Sequence, residues 1–451
     1  MAKAYRTAHG KFNSPERIQS RYFRAAPAGV HHIRSVTCDW ESLSPIMPLM
    51  PETTFLLPKY DALDPAVIAD PYPTYARLRQ VGPLCRGGAG QWVATRHAEV
   101  SALLHDPRLA HEFPESFRRF SMGEGEAESF FRRIILNRDP PEHVRLRTLM
   151  GAAFNPSLMR KLGDHIGELV DELLAPALDR GYFDAVQEVA FPLPVMVVCE
   201  LIGIPAGDRD QVRPYASDLC KAFGTQIPEQ DRIAVNRAIS WLREYVGALL
   251  QERRKSSRDD LLSCMLNATE NGDRLSYEEI VDNAVFLFFA GFETTMNMIG
   301  TGCAALLEYP DQLSRLRQDR SLVPTAVEEF LRYDAPIQSA GRLVLSPIEI
   351  GGRLVRKDRV LVLLLGSANH DERQFDQPER LDIGRKPNPH VSFGGGIHYC
   401  LGATLARTEI SVVLARILDK FSVFEPAGNA IRRTSSGFRS YASVPVRTRP
   451  A

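Results

Sequence analysis

The pattern of apolar and polar positions along the chain predicts a mainly helical protein. Apolar residues recur at helical spacing in segments of roughly 10 to 25 residues. The longest pattern spans 275–310, where Ser276 is followed three residues later by Glu279, a sign of a capping box. Further helical patterns cover 72–82, 141–153, 156–179, 186–202, 206–224, 229–254, 258–269 and 401–420, and helices are expected to continue after 310 to about Tyr333.

The most apolar run of the longest pattern, 284–292, ends at Glu293. It is far shorter than the roughly 20 residues that a membrane span needs. We therefore expect a buried helix in a soluble protein, without a membrane anchor.

Other segments break the helical period. Short β-type runs separated by Gly-Gly fill 341–371, and the tail after residue 420 is also β-like. The stretch 108–133 is polar and rich in Phe without a clean period, and predicts a loop. There is no internal repeat and no alternation of strand and helix. The predicted fold class is mainly α with a small β portion, in one large helical unit.

The first 52 residues differ from the rest. Up to Ser35 they carry seven Lys or Arg and one Glu, with no apolar region typical of a secretory signal. We expect 1–52 to be an N-terminal arm, either disordered or preceding a true start at Met47 or Met50. A single domain is then expected over 53–451.

Charge and cysteine content argue against several classes of protein. Lys plus Arg and Asp plus Glu both number 55, so no net charge draws the chain to nucleic acid. The seven Cys are odd in number and widely spaced, without a CxxC pair. This argues against a disulfide framework or a zinc site and favours a reducing, cytoplasmic setting.

The stretch "FGGGIHYCLG" (393–402) places a run of three glycines and one thiol before a predicted helix start. Glycine is costly to order and is kept where backbone passes close to another group. A thiolate is favoured near a helix N-terminus. The segment therefore predicts a loop shaped around a cofactor at Cys400.

Three further motifs carry polar groups at helical spacing. "EEFLR" puts Glu329 and Arg332 on one helix face, and "HVRLR" does the same for His143 and Arg147. "AGFETT" (290–295) puts polar residues inside the longest apolar pattern, where they are unfavourable unless they have a role. Alone, each motif is equally compatible with an ordinary ion pair, a surface residue or a helix kink.

Together the four motifs resemble the cytochrome P-450 superfamily of haem-thiolate monooxygenases, in particular soluble bacterial members that act on secondary metabolites. The resemblance covers roughly 55–447. It implies a helical prism that encloses haem b (iron protoporphyrin IX). One position departs from a common choice in the family, because Gly395 stands where His is frequent. We expect no functional penalty from it.

The resemblance also implies residue roles. Cys400 is the expected iron ligand, and Glu293 with Thr294 the expected proton relay for O2 activation. Four residues are expected at the haem propionates: His143, Arg147, Arg342 and His398. Others are expected to shape the cofactor site: Phe393, Gly394, Gly396, Gly402, Ala290 and Gly291. A structural set is expected to hold the chain beneath the haem: Glu329, Arg332 and Arg380.

The resemblance implies O2, an external ferredoxin and a ferredoxin reductase as partners, with candidate docking residues Arg145, Arg385, Lys386 and Arg407. The expected substrate is a bulky, mostly apolar small molecule such as a polyketide or macrolide, to be hydroxylated or epoxidised. Whether it arrives free or on a carrier protein stays open. Pocket residues are expected at Phe286, Phe289, Ala290, Glu293, Ile337, Gln338 and Ser339, and a lid at Phe113, Phe117 and Phe120.

Two alternatives share the scaffold. One is a haem-thiolate enzyme that catalyses oxidative coupling or rearrangement. The other is a non-catalytic helper, which Cys400 opposes because such proteins tend to lack the thiolate.

Overall fold

Helices make up most of the described chain. The computed structural model describes residues 59–154, 156–222, 227–270, 272–434 and 437–451. The predicted arm, 1–52, lies outside these ranges. The helices are α1 (Pro65–Ala69), α2 (Tyr72–Val81), α3 (His97–Leu103), α4 (Glu115–Met122), α5 (Glu126–Arg133), α6 (Glu142–Ala153), α7 (Pro156–Arg180), α8 (Pro192–Ile202), α9 (Arg209–Cys220), α10 (Glu229–Lys255), α11 (Leu261–Asn267), α12 (Tyr277–Glu308), α13 (Pro310–Gln318), α14 (Val323–Tyr333), α15 (Leu365–Ala368) and α16 (Ala403–Lys420).

The longest of these helices, α12, runs through the core. The Ser276 side chain accepts from the Glu279 N–H while the Glu279 carboxylate accepts from the Ser276 N–H, which confirms the predicted capping box. From Ile280 to Leu306 most side chains are buried. A helix that is apolar all round must be covered on all sides, and α12 packs against α8, α10, α14 and α16.

Short strands form the small β portion. They are β1 (Lys59–Tyr60), β2 (Leu84–Gly87), β3 (Trp92–Ala94), β4 (Leu109–Ala110), β5 (Tyr182–Asp184), β6 (Ala340–Val344), β7 (Ile348–Ile350), β8 (Arg353–Val355), β9 (Val360–Leu363), β10 (Phe421–Pro426), β11 (Ile431–Arg432), β12 (Tyr441–Ser443) and β13 (Pro445–Pro450). The change of period after residue 341 is confirmed by β6 to β9.

Within the described chain these strands make one six-stranded sheet in the order β1-β2-β3-β9-β6-β4, and smaller sheets β10-β13-β5, β11-β12 and β7-β8. In the large sheet β3 pairs in parallel with β9, with Val93 opposite Val362. Strand β6 runs antiparallel to β9, with Arg342 opposite Leu361.

The prediction of a loop over 108–133 is wrong. This stretch contains β4, α4 and α5. Gly123, at φ 79°, ends α4, and Gly125 precedes α5. Phe130 and Phe131 are buried and hold α5 against the core. Two helices of eight residues each are too short to show a clean helical period, and the missing period was the basis of the loop prediction.

One stretch of the described chain, Ala185–Ile202, is apolar and long enough to cross a membrane by length and composition. It comprises a π-helical turn, Ala185–Ala190, followed by α8. Of this stretch 67% is buried inside the protein, as in a core helix.

Candidate active site

The loop that carries Cys400 is fixed by its own backbone. The Cys400 N–H donates to the Phe393 carbonyl at 3.0 Å, and the Tyr399 N–H to the Gly396 carbonyl at 3.2 Å. Gly394 and Gly396 adopt φ of 70° and 62°, a region that side chains disfavour. A Cβ at Gly396 would also lie 2.7 Å from the Leu104 carbonyl oxygen. Both glycines are therefore needed for this loop to fold back over α3.

The electrostatic setting of the Cys400 thiol combines opposing effects. The residue is exposed, yet protein crowds its sulfur enough that burial raises the pKa of the thiol. A hydrogen bond from the Gly402 N–H and the charges of Arg147 and Arg407 act in the opposite direction. A Cβ at Gly402 would meet nothing within 4 Å, so space is open at the start of α16.

Gly395 has a steric reason to be glycine. A Cβ here would lie 2.8 Å from His105 Cε1 and 3.0 Å from Leu104 Cβ. The His105 ring is held by the Ser101 carbonyl, 2.9 Å from Nδ1. The end of α3 therefore occupies the space that a larger residue at position 395 would need.

Five side chains form what we call the cationic cluster: His111, His143, Arg147, Arg342 and His398. The His398 ring centroid lies 3.5 Å from that of His111 and 3.9 Å from that of His143. One ring nitrogen of each histidine is buried without a hydrogen-bond partner in the described structure: His111 Nε2, His143 Nδ1 and His398 Nε2. Of the five, His111 is the one that no sequence motif indicated.

Arg147 and Arg342 are the permanent charges of the cationic cluster, and the nearby Asp139 carboxylate favours the charged form of Arg342 without forming a salt bridge with it. Arg342 is 5% exposed, and its Nη1 donates to the Gly341 carbonyl at 2.8 Å. No carboxylate of the described chain forms a salt bridge with Arg147 or Arg342. Burial lowers the pKa of Arg342 to about 10. Burial, with neighbouring His143, Arg342 and Arg147, lowers the pKa of His398 to about 3.

The cationic cluster fits a group that brings anionic oxygens. Buried polar groups without partners are penalised, and cationic donors without counter-charges are penalised more. A porphyrin with two propionates offers acceptors to Arg147, Arg342 and the histidine N–H groups. The donor set and the thiol of Cys400 together suit haem.

The acid and the hydroxyl of α12 have different partners. Thr294 Oγ1 donates to the Ala290 carbonyl at 2.8 Å. Glu293 Oε1 accepts from Arg433 Nη1 at 3.1 Å and from Asn297 Nδ2 at 3.4 Å. Glu293 Oε2 lies 3.2 Å from Cys220 Sγ. Although adjacent in sequence, Glu293 and Thr294 share no hydrogen bond in the described structure.

Gly291 lies where α12 packs against α8, and its predicted place beside the cofactor stays a prediction. A Cβ at Gly291 would lie 2.7 Å from Val198 Cγ2, on α8. Gly291 therefore permits close packing of α12 on α8.

The pair in "EEFLR" belongs to what we call the Glu329 network. Glu329 and Arg332 are fully buried, and two hydrogen bonds of 2.8 Å join them. Glu329 also accepts from Arg385 Nε at 3.1 Å and from the Asp382 N–H at 2.9 Å. Every oxygen of this carboxylate is thus satisfied within the chain.

The third member of the structural set was predicted wrongly. Within the described chain the Arg380 side chain forms no salt bridge with Glu329. Instead, the Arg380 backbone carbonyl accepts a hydrogen bond from Arg332 Nη2 at 3.2 Å. The guanidinium on Glu329 is that of Arg385. The sequence has two arginines five positions apart, and only the path of the chain between them selects one.

The predicted docking patch is largely neutralised. Arg385 forms a salt bridge with Glu329. Arg407 donates to Glu328 through two nitrogens, at 2.6 and 2.9 Å. Arg145 is paired with three carboxylates, those of Glu142, Asp273 and Glu279. Lys386 is exposed. Three of the four candidates therefore hold the fold together instead of presenting free charge.

The predicted pocket residues divide between cavity and core. Gln338 and Ser339 line a cavity of about 70 Å³ with Arg433 and Phe438. Phe286 and Phe289 are buried on α12, and the Phe289 ring lies 6.1 Å from that of Phe438. Ile337 is partly buried between two apolar clusters.

The predicted lid residues lie partly on α4. The Phe113 and Phe117 rings stack at 4.6 Å, and both line a cavity of about 40 Å³. His111 lines the same cavity. This places the Phe-rich segment next to the cationic cluster.

Four site residues were missed or misassigned by sequence reasoning: His111, Cys220, Arg385 and Arg433. His111 and Arg433 belong to no motif with a diagnostic spacing. Cys220 is one of the seven widely spaced cysteines and lies in no motif. The contacts that reveal them join residues far apart in sequence, as from Glu293 to Arg433 and from His111 to His398.

Comparison with known proteins also indicates a haem-thiolate protein. A family model described as "Cytochrome P450" matches residues 215–446. The Vitamin D(3) 25-hydroxylase of Pseudonocardia autotrophica is 37% identical over 88% of this chain and 98% of its own length. The cytochrome P450 monooxygenase PikC of Streptomyces venezuelae is 34% identical over 86% of this chain and 93% of its own.

A solved structure of P450BioI, in complex with a hexadec-9Z-enoic acid ligated acyl carrier protein, superposes with a TM-score of 0.80. It is 33% identical and covers 85% of this chain and all of its own. The helical fold, the thiol loop and the cationic cluster define a haem protein. The chain belongs to the cytochrome P450 family and is a monooxygenase of that family.

Proposed function

We propose that this protein inserts one oxygen atom from O2 into a bulky, mostly apolar small molecule, by hydroxylation or epoxidation. Its cofactor is haem b, and its electrons come from an external ferredoxin and ferredoxin reductase. It acts in the cytoplasm, in secondary metabolism such as antibiotic biosynthesis. The observation that carries the proposal is the pairing of the Cys400 loop with a cationic cluster whose two arginines form no salt bridge within the described chain.

Cys400 holds the haem iron in this proposal. A haem held by a Cys thiolate supplies O2 activation, because the thiolate pushes electron density that favours O–O cleavage. The Gly402 N–H and the charges of Arg147 and Arg407 favour the anionic sulfur. Phe393 excludes water beside it, with the Arg407 guanidinium 4.4 Å above its ring.

The cationic cluster orients the cofactor. Arg147, Arg342, His143 and His398 donate to the propionates, and His111 stacks on His398 to hold that ring in place. Ala290 and the open space at Gly402 leave room for the porphyrin face. These roles explain why so many donors converge without partners of their own.

Proton delivery is assigned to α12. Thr294 Oγ1 passes a proton into the pocket, and the Glu293 carboxyl resupplies it. The substrate lies against the wall formed by Phe289, Phe438, Gln338 and Ser339. Two apolar rings beside an amide and a hydroxyl suit a mostly apolar molecule that carries a few polar groups, such as a polyketide or macrolide.

The relatives support this assignment in part. PikC is named a monooxygenase, and the Pseudonocardia relative is named for hydroxylation of vitamin D(3). The P450BioI structure holds an acyl carrier protein, which favours testing carrier-bound as well as free substrates.

The test of the proposed function begins with the carbon monoxide difference spectrum of the reduced protein. The native chain is expected to give the red-shifted thiolate band, and Cys400→Ala to lose it. Cys264→Ala, which removes a thiol elsewhere, should retain it. Survival of the band in Cys400→Ala would show that another residue binds iron.

The substrate class is tested by spin-state titration with vitamin D(3), a macrolide, a free C16 fatty acid and the same acid on an acyl carrier protein. Product mass then separates oxygen insertion from coupling. Thr294→Ala should lower product per reductant and raise hydrogen peroxide, whereas Thr301→Ala on the same helix should not. Unchanged coupling in Thr294→Ala would remove Thr294 from the relay.

A further inference from the structure

The cavity that Gln338 and Ser339 line is also lined by arginines. Three of them, Arg432, Arg433 and Arg439, lie on the β11–β12 hairpin or its connection. Among the described residues no Asp or Glu lines this cavity. The cavity therefore presents cationic side chains and no anionic one.

The carboxylates that pair with these arginines are buried behind them. Asp334 forms salt bridges with Arg432, at 2.9 Å, and with Arg439, while Glu293 pairs with Arg433 at 3.1 Å. The side chains of the two acids are 3% and 5% exposed, whereas those of Arg432 and Arg433 are 32% and 30% exposed. The acids thus anchor the guanidinium groups, and the part that stays accessible is positive.

The pairing leaves one positive charge in excess, because three guanidinium groups share two carboxylates. Burial raises the pKa of Asp334, but the charges of Arg439 and Arg432 outweigh burial and lower the pKa, so the acid stays ionised. Burial raises the pKa of Tyr72, so its hydroxyl donates to Asp334 as a neutral group. The exposed Asp70 adds to the field at Arg439 without forming a salt bridge with it in the described chain.

The remainder of the lining is mostly apolar and includes Val67, Ile68 and Phe438. The Phe438 ring lies 6.1 Å from that of Phe289 on α12, the helix that also carries Thr294. At about 70 Å³ the cavity is small. Sites that hold a whole drug-sized ligand measure roughly 300–1,000 Å³. The cavity therefore suits one end group of a molecule whose apolar part lies along α12.

We propose that this cavity binds a carboxylate at the end of the substrate, with Arg432 and Arg433 as its donors. A guanidinium group offers two parallel N–H donors to a carboxylate, and a monoanion matches the single excess charge. The inference rests on the proposed function and narrows its substrate class to mostly apolar carboxylic acids. The apolar part of the substrate then lies against Phe438 and Phe289, so oxygen enters at a carbon remote from the carboxylate.

The test compares ligands that differ only in their end group, by isothermal titration calorimetry of the haem-loaded protein. Dodecanoic acid should bind roughly 10- to 100-fold more tightly than methyl dodecanoate, the weight of one charge-assisted hydrogen bond. Dodecyl phosphate, which carries close to two negative charges, should bind more weakly than the acid. Equal affinity for the acid and the ester, or tighter binding of the phosphate, would overturn the inference.

Arg432→Gln is the informative variant, because Asp334 keeps Arg439 and the Tyr72 hydroxyl as partners. It should lower the affinity for dodecanoic acid toward that for the ester and leave the affinity for the ester unchanged. Arg432→Lys should retain part of the preference. Arg447→Gln removes the same charge from an exposed position of β13 and is the matched control. An undiminished preference for the acid in Arg432→Gln would also overturn the inference.

Because binding is measured without turnover, this inference and the proposed function fail separately. If the native chain prefers the acid but gives no thiolate–carbon monoxide band and inserts no oxygen, the proposed function fails and the carboxylate site stands. If a neutral substrate is oxygenated while the acid binds no better than its ester, the proposed function stands and the carboxylate site is rejected. Retention of the carbon monoxide band confirms folding of each variant.

Discussion

The Glu329 network and the cationic cluster are both buried sets of charged side chains, but the chain neutralises them differently. In the first, one carboxylate receives Arg332, Arg385 and a backbone N–H. In the second, Arg147 and Arg342 have no carboxylate partner within the described residues, and ring nitrogens of three histidines have none either. One set is complete in itself, whereas the other leaves donors available to a ligand.

This difference separates a structural role from a binding role. A buried ion pair adds little net stability but is costly to break, because the remaining partner is left charged and buried. An uncompensated cation already bears that cost. Replacing such a cation with an apolar residue should therefore leave the haem-free protein at least as stable and should weaken haem binding. The two clusters should respond to mutation with opposite signs in the haem-free protein.

The largest effect is expected in the Glu329 network. Glu329→Ala or Arg332→Ala leaves a fully buried charge unpaired, at a cost of about 3–5 kcal/mol. The expected result is little folded protein, measured as soluble yield and free energy of unfolding. Normal expression and haem loading of either variant would contradict the buried-pair interpretation.

Arg342→Leu should have the opposite signature. Loss of a charge-assisted contact to a propionate should lower haem affinity roughly 10- to 100-fold. The haem-free variant should be at least as stable as the native haem-free protein, because burial of Arg342 already disfavours its charge. Haem titration and urea unfolding measure the two effects. Arg353→Leu, on the exposed part of β8, is the control, and a destabilised apoprotein would place Arg342 with the structural residues.

Glu328 is a half-buried carboxylate that is neutralised within the chain, and its contribution to stability should depend on pH. Burial raises its pKa, but hydrogen bonds from His390 and Arg407 outweigh burial and lower the pKa to about 2, from an ordinary 4.5. A lowered folded-state pKa stabilises the native state above pH 4.5, and this contribution is lost as the pH falls from 4.5 through about 2.

Glu328→Gln should therefore be less stable than the native chain near neutral pH, by about 1–3 kcal/mol. The difference should shrink as the pH falls below 4.5. Urea unfolding across this range measures it. A difference that is independent of pH would show that the packing of the side chain, and not its charge, matters.

The smallest effect is expected at Arg380. Its contribution to the Glu329 network is a backbone carbonyl, which Ala retains, so Arg380→Ala should change stability by no more than about 0.5 kcal/mol. Arg385→Ala removes a guanidinium from the buried Glu329 carboxylate and should cost clearly more. Urea midpoints of the two variants decide the assignment, and equal costs would restore Arg380 to the structural set.

Much of the site was readable from the sequence because local motifs carry it. The Gly-rich loop around Cys400, the capping box of α12 and the i, i+3 pair of Glu329 and Arg332 are each set within ten residues. Local spacing determines backbone conformation and helix faces, so it predicts these features directly. The mainly helical class and the β-type segment after residue 341 followed from hydrophobic period in the same way.

Tertiary structure alone decided the partners. Which arginine reaches Glu329, which direction Gly291 faces, and that Glu293 meets Arg433 and Cys220 depend on how distant elements pack. His111 joined the cationic cluster because β4 runs beside β6, not because of any motif. Helical spacing specifies which residues share a face of one element, but the element opposite that face is chosen by packing of the whole core.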